Sequence, residues 1–315
     1  MSSTLPQPLR IATRASRLAL WQAEHVAALL RAAAPQVAVE LVHVTTTGDR
    51  DQTGELKSFG GLGVFTREVQ KAVLDGQADI AVHSLKDLPT ESAQGLVLAA
   101  VPAREDTDDA VVLPPSDKPS ADRVLFPMRA RVGTGSPRRR AQFWHIRPDL
   151  KFLDVRGNIE TRLKKLDNGE YDSLLLAVAG LKRLGLAERI TYMMRPPEMF
   201  PAVGQGALGI ECREGDADLR LLLEKIGDPS TYCAVIAERA LLARLGAGCH
   251  APVGAIARFQ DGVLELQAVV CSPNGRERLV AEARDPAANG IALGQSVADD
   301  LLQQGAARLI AMEPL

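Results

Sequence analysis

Residues Ala78-Asp-Ile-Ala-Val-His83-Ser-Leu-Lys-Asp87-Leu-Pro89 decide the fold. The first half is an apolar run of strand length, and the second is a polar loop closed by a proline. A strand that hands a polar loop to its carboxyl end is the repeating unit of an open α/β sheet, whose ligands bind along that edge. Asp87, beside Lys86 on such a loop, can shuttle a proton or balance a developing cation. A plain surface Lys-Asp pair would leave the same sequence.

The same construction recurs on either side. Leu9 to Thr13 reads as a strand, Arg14-Ala-Ser16 as its exit, and Arg17 to Ala34 as a helix capped by Ser16 and ended by Pro35. A helix start with a neighbouring arginine suits an anion. Val37 to Val44 is a second strand, running into Thr45-Thr-Thr-Gly-Asp49, and Gly60-Gly-Leu-Gly-Val-Phe65 opens a helix over 66–75 that Gly76 closes. No Gly-Lys-[Ser/Thr] follows those glycines, which excludes a Walker motif. Leu96 to Val101 is a further strand, and the charged run 103–109 leaves this unit.

A second unit opens on Val132-Gly-Thr134-Gly-Ser136-Pro137-Arg-Arg-Arg140. Ser136 is placed to cap a helix, Pro137 to take its first position, and Arg138 and Arg139 to fall in its first turn. Cations there oppose the helix macrodipole, so the pattern implies an anion at the same place. Lys151 to Val155 is a strand, Arg156-Gly-Asn158 a turn, and Asn158 the cap of a helix over 159–166 that carries Arg162. Tyr171 to Val178 is a buried strand running into Ala179-Gly-Leu-Lys-Arg183. The Gly-x-Gly-x-x-Gly at Gly204, Gly206 and Gly209 lacks a strand-to-helix context and is not a dinucleotide fingerprint.

From Pro229 the texture changes to a small α+β domain. A helix over 230–245 leads into Leu245-Gly-Ala-Gly-Cys249-His-Ala-Pro-Val-Gly254, followed by antiparallel strands over 251–258, 263–271 and 276–283 and a closing helix over 291–304. Asp261-Gly262 and Asn274-Gly275 are the expected turns. Cys249, between small residues, is either a presented thiol or an incidental cysteine in a glycine-rich loop.

A chain of 315 residues is too long for a single ordinary core and suggests two or three domains. Net charge −2 and 4% aromatic content argue against a phosphate track or stacking platform for nucleic acid. Cysteines at 212, 233, 249 and 271 form no Cys-x-x-Cys and have no paired histidines nearby, so neither zinc nor a disulfide framework is expected, and a reducing cytoplasm fits. The N-terminus lacks the apolar core of a signal peptide, and no apolar run is long enough for a bilayer. Arg14, Arg138, Arg139, Arg156, Arg162 and Arg183 all stand at element ends, which demands a ligand with many carboxylates or phosphates if they converge.

These residues resemble the porphobilinogen deaminase (hydroxymethylbilane synthase) family over essentially the whole chain. The likeness rests on Arg14-Ala-Ser16, Val82-His-Ser-Leu-Lys-Asp87, Gly133-Thr-Gly-Ser-Pro-Arg-Arg139, Arg156-Gly-Asn158, Leu176-Ala-Val-Ala-Gly-Leu-Lys-Arg183, Pro201-Ala-Val-Gly-Gln-Gly206 and Gly248-Cys249. It implies two α/β domains like type II periplasmic binding proteins, joined by a double crossover, plus a small C-terminal α+β domain. The implied boundaries are 1–104 with 205–226, then 105–204, then 227–315. It also implies a cytoplasmic, monomeric transferase without a metal, its partner being the small-molecule substrate porphobilinogen. The enzyme would condense four porphobilinogen molecules stepwise, releasing ammonia and then hydroxymethylbilane by hydrolysis. Cys249 would hold a dipyrromethane cofactor through a thioether, and Asp87 would be the catalytic acid. Ser84, Lys86, Thr134, Ser136, Arg138, Arg139, Arg156, Gly157, Arg162 and Arg183 would hold the cofactor. Arg14, Ser16, Lys57 and Gln205 would bind substrate, with Arg156, Arg162 and Arg183 serving both. The chain departs from the family at Leu62, where many relatives carry lysine, at Gly135 and Pro137, and at His250. Arg67 is a candidate to replace the missing lysine.

Overall fold

The computed structural model describes residues 6–45, 66–115, 126–248 and 251–313. The chain divides into two compact units, Met1–Glu105 with Ala207–Cys233, and Asp106–Gly206 with Ala234–Leu315. The path leaves the first unit after Glu105, re-enters it at Ala207 and leaves it again after Cys233; the crossings at Glu105 and Ala207 are the double crossover.

In the first unit, strands β1 (Leu9–Arg14), β2 (Val39–Val44), β3 (Ile80–Ser84) and β4 (Leu96–Ala100) form a sheet with a late arrival, Leu208–Arg213. In the second unit, β5 (Asp109–Val112), β6 (Arg131–Gly133), β7 (Lys151–Leu153), β8 (Ser173–Ala177) and β9 (Tyr192–Met194) form the other large sheet. With Leu208–Arg213 numbered β10, the two orders are β2-β1-β3-β10-β4 and β7-β6-β8-β5-β9. In each, the first three strands run parallel and the fourth is antiparallel to both neighbours. In chain order the fourth strand is thus the last of its sheet in one case and the first in the other.

Local sequence accounts for these elements. Helix Arg17–Ala33 begins at Ser16, whose hydroxyl accepts from the Ala19 amide at 3.4 Å. Its buried face of Ala23, Val26, Ala27 and Leu30 packs on Leu9, Ile11, Ile80 and Ile210. Strand β5, the short strand β9 and the helices Val178–Arg183 and Ala217–Glu224 were not foreseen from the sequence. Strand β5 is buried along its whole length, so it shows no alternation, and it starts on an aspartate, a poor strand former.

The second unit also holds the antiparallel sheet β11 (Val253–Gln260), β12 (Val263–Cys271) and β13 (Arg278–Pro286), flanked by helices Pro229–Arg244, Gly290–Gln303 and Ala306–Ile310. Asp261 at φ 51° and Gly262 at φ 79° form the expected two-residue hairpin turn. The second expected turn is wider, because the Ser272 amide donates to Glu277 O at 2.9 Å and pairing resumes at Arg278. Gly275, at φ 67°, packs against the helix Pro137–Ile146, where a Cβ would stand 2.5 Å from Ala141 O. Ala141, Phe200, Ile256, Val269 and Cys271 complete that contact within the unit.

Candidate active site

In the first unit, the buried strand β3 runs out at Ser84 into a 3₁₀ turn, Leu85–Asp87. Leu85 and Leu88, both buried, pin the turn from below, and the Leu85 amide donates to Ala207 O at 3.0 Å. Asp87 is left exposed at the top. A Cβ on Gly209 would stand 2.9 Å from Leu85 Cδ1 and 3.2 Å from Leu98 Cδ1, so the last glycine of the Gly-x-Gly-x-x-Gly run is the floor on which this turn sits.

Gln22, 3% exposed on helix Arg17–Ala33, donates its amide to Ser84 Oγ at 2.8 Å. Beneath Ser84, His83 Nε2 lies 3.0 Å from Glu211 Oε2, and Gln70 donates to the same carboxylate at 2.9 Å. Parallel pairing of β1 with β3 brings Arg14 to the carboxyl edge that carries Ser84, with Ser16 capping the next helix. Arg14, Ser16, Ser84 and Lys86 are half-buried.

The second unit repeats the plan. Parallel pairing of β7, β6 and β8 collects the loops that carry Thr134, Arg156 and the start of helix Val178–Arg183 on one edge. Ser136 caps helix Pro137–Ile146 by accepting from the Arg139 amide, and the Ser136 amide donates to Thr134 Oγ1 at 3.2 Å. Gly157 sits at φ 106° with no room for a Cβ beside Thr161 Cγ2, at 2.8 Å. Its carbonyl accepts from Arg162 Nε at 2.8 Å, while Asn158 caps the following helix through the Thr161 amide. Arg156 and Arg162 are half-buried.

Three of the expected site residues, Arg138, Arg139 and Gln205, have internal partners. The anion implied by Arg138 and Arg139 at a helix start is supplied from within, by Asp109. Arg138 Nη1 meets Asp109 Oδ2 at 2.6 Å, and Arg139 Nε meets Asp109 Oδ1 at 2.9 Å. The macrodipole argument therefore does not by itself require an external ligand. Gln205, expected to touch substrate, is fully buried, and its amide donates to Thr107 O at 2.7 Å and Asp109 Oδ1 at 3.0 Å. These partners are internal ones. Burial alone would push the Asp109 carboxyl up, but the two guanidiniums, with hydrogen bonds from Arg138 and Gln205, hold it well below the usual carboxylate range. Arg183, 8% exposed, donates Nη2 to Gly206 O at 2.6 Å.

Lys57, Leu62, Cys249 and His250 lie outside the described residues. The chain on both sides of Cys249 is anchored. Helix Pro229–Arg244 ends in a Schellman arrangement, with Gly246 at φ 60° and the Ala247 amide donating to Leu242 O at 3.2 Å. The Ala251 amide then donates to Gly248 O at 3.0 Å, just before β11. Burial pushes the Cys212 thiol up to about 11 and the Cys271 thiol up to about 12, which makes both poor nucleophiles.

Sequence reasoning missed Gln22, Asp109 and Gly209. Gln22 interrupts the apolar stripe that continues at Val26 and Leu30, a signal that was available. Among the described residues, no group of His, Cys, Asp and Glu could hold a metal ion, and no helix is long and apolar enough to cross a membrane.

Comparison with known proteins gives two family matches. Residues 9–221 match the porphobilinogen deaminase, dipyromethane cofactor binding domain, and residues 232–303 match the porphobilinogen deaminase, C-terminal domain. A porphobilinogen deaminase of Chromobacterium violaceum is 49% identical over 301 residues, 96% of each chain. One of Stenotrophomonas maltophilia is 48% identical over 304 residues, covering 96% of this chain and 99% of its own. A solved periplasmic binding protein of Salmonella typhimurium with high arginine specificity covers 70% of this chain and 92% of its own, at 12% identity and a TM-score of 0.41.

Proposed function

Because the chain belongs to the porphobilinogen deaminase family, we propose that it is the transferase of tetrapyrrole synthesis that condenses four porphobilinogen units, with loss of ammonia, and releases hydroxymethylbilane by hydrolysis. The observation that carries the assignment of roles is the Asp87 turn: an exposed carboxyl raised on a buried, twice-pinned 3₁₀ turn at the carboxyl edge of a sheet. Asp87 hands a proton to the departing amine of the substrate, and the carboxylate that remains faces the positive charge that develops on the pyrrole. Ser84, at the end of β3, and Lys86, on the turn, hold carboxylates of the cofactor, while Arg14 and Ser16, on the neighbouring strand exit, bind substrate carboxylates.

The residues of the second unit fit a dipyrromethane. Its two rings bear four carboxylates, and one sheet edge offers the hydroxyls of Thr134 and Ser136 with the guanidiniums of Arg138, Arg139, Arg156, Arg162 and Arg183. Arg138 Nε is moreover buried without a hydrogen-bond acceptor, as a donor awaiting a carboxylate would be. Cys249 is the proposed anchor, and the described residues on either side of it are fixed. When bound, the cofactor supplies the pyrrole carbon to which the first substrate unit is joined. The three-domain division is part of the same proposal, supported by the separate sheets of the second unit.

The test is Asp87→Ala. Turnover falls about 100-fold or more, while the intact mass still shows the cofactor on the chain. Turnover at the wild-type rate would overturn the role given to Asp87.

A further inference from the structure

The two arginines that open helix Pro137–Ile146 reach an acidic residue that the mechanism above does not use. Asp109 begins β5 and is fixed by pairing on both sides, opposite Ala177 and Met194. It is 1% exposed, against 4% for Arg138 and 7% for Arg139. Both of its carboxylate oxygens are spoken for. Oδ2 accepts from Arg138 Nη1 at 2.6 Å, and Oδ1 accepts from Arg139 Nε at 2.9 Å and from Gln205 Nε2 at 3.0 Å.

These side chains also reach backbone carbonyls, while Arg138 Nε has no acceptor. Arg139 Nη1 reaches Leu175 O at 3.0 Å, Arg138 Nη1 also reaches Phe200 O, and Gln205 reaches Thr107 O at 2.7 Å. Since Thr107 O, Asp108 O and Asp109 Oδ1 are all acceptors, the Gln205 side-chain amide must present its NH2 to them. The neighbouring carboxylates are engaged elsewhere, Asp108 with Arg195 and Asp106 with Lys182. Two cations therefore share the single negative charge of Asp109, and the cluster keeps a net positive charge on side chains that have lost their freedom.

We propose that Asp109 is a positioning residue: a fixed internal carboxylate that orients the Arg138 and Arg139 guanidiniums before a polycarboxylate ligand arrives, with Gln205 fixing Asp109 in turn. Long arginine side chains lose entropy when a ligand orders them, and ordering them in advance removes that penalty from binding. Charge balance gives a second reason for a single carboxylate. With two, the site would be neutral and would no longer attract an anionic ligand; with none, two buried cations would repel each other. The inference rests on the reading of Arg138 and Arg139 as carboxylate binders.

The experiment follows cofactor assembly rather than turnover. The full chain is made in a host that produces no porphobilinogen, the folded fraction is isolated by size exclusion, porphobilinogen is added, and adduct formation is followed by intact mass. Folded Asp109→Asn loads at least tenfold more slowly than wild type. A purely structural role would yield less folded protein that loads at the wild-type rate, and that result overturns the proposal. If Asp109→Asn gives no folded chain, Gln205→Met carries the test, since it removes one donor from the same carboxylate and changes no charge. Loading slowed several-fold supports the proposal, and loading at the wild-type rate overturns it. Arg139→Leu separates the two levels. Wild-type loading of that variant would sink the carboxylate reading itself, whereas slow loading there with normal loading of Asp109→Asn would sink the role of Asp109 alone.

Discussion

Gly209→Ala asks whether the Asp87 turn is seated on a missing side chain. The added methyl would stand 2.9 Å from Leu85 Cδ1, 3.2 Å from Leu98 Cδ1 and 3.7 Å from Leu88 Cδ2. The 3.7 Å contact is ordinary, but the tightest one has no easy escape, because Leu85 is 1% exposed. Overpacking of this kind costs about 1–3 kcal/mol, which corresponds to a fall in melting temperature of about 2–10 °C for a unit of this size. Leu85, which must yield, is one of the leucines that hold the turn, so Asp87 moves with it. A misplacement of about 1 Å can cost 100-fold in rate, and a loss of at least about tenfold in kcat is expected. Urea denaturation gives the first quantity and turnover per folded molecule the second. Gly215→Ala is the control, since a Cβ there meets nothing within 4 Å, and its effect should stay within about 0.5 kcal/mol. A Gly209→Ala protein as stable and as active as that control would refute the argument that Gly209 seats the turn.

Gly275→Ala should be more damaging than Gly209→Ala, at about 2–5 kcal/mol by denaturant titration, because at φ 67° its methyl would meet the backbone atoms Ala141 O at 2.5 Å and His145 N at 2.8 Å. Thiol-specific labelling of the folded chain at pH 8, read by peptide mapping, should spare Cys212 and Cys271 until denaturant is added. For the same two thiols the folded-state value lies above the ordinary 9. Their contribution to stability is therefore fully present below pH 9 and is lost as pH rises towards 11 and 12. Unfolding midpoints that did not fall over that range in the wild type, relative to a Cys212→Ala/Cys271→Ala chain, would contradict the assignment.

Much of the fold is legible in residues whose geometry is local. Ser16, Ser136 and Asn158 cap helices because a short oxygen-bearing side chain before a helical run has few other places to go. Asp261-Gly262 makes its turn for the same kind of reason, through the backbone angles those residues tolerate. What was not legible depends on partners distant in the chain. Asp109 lies 29 and 30 residues before the arginines it holds, and nothing near it in sequence announces them. Gln205 sits in a run that reads as a ligand loop, yet the structure turns its amide inward, because two carbonyls and a carboxylate await it there. Gly209 was set aside with a false nucleotide motif; its value lies in the atoms it lacks beneath Leu85, which only the packing reveals. The candidate site shows the same division. Its residues could be named from motifs, but the distinction between half-buried side chains such as Arg156 and internally held ones such as Arg138 needed the structure.

The most direct test of the central claim is the intact mass of the purified protein under denaturing conditions, with peptide mapping across Gly248–Val253. The account predicts a covalent adduct of two pyrrole units on Cys249 and none on Cys212, Cys233 or Cys271. An unmodified chain that also stayed inert with porphobilinogen, or an adduct on another cysteine, would contradict it.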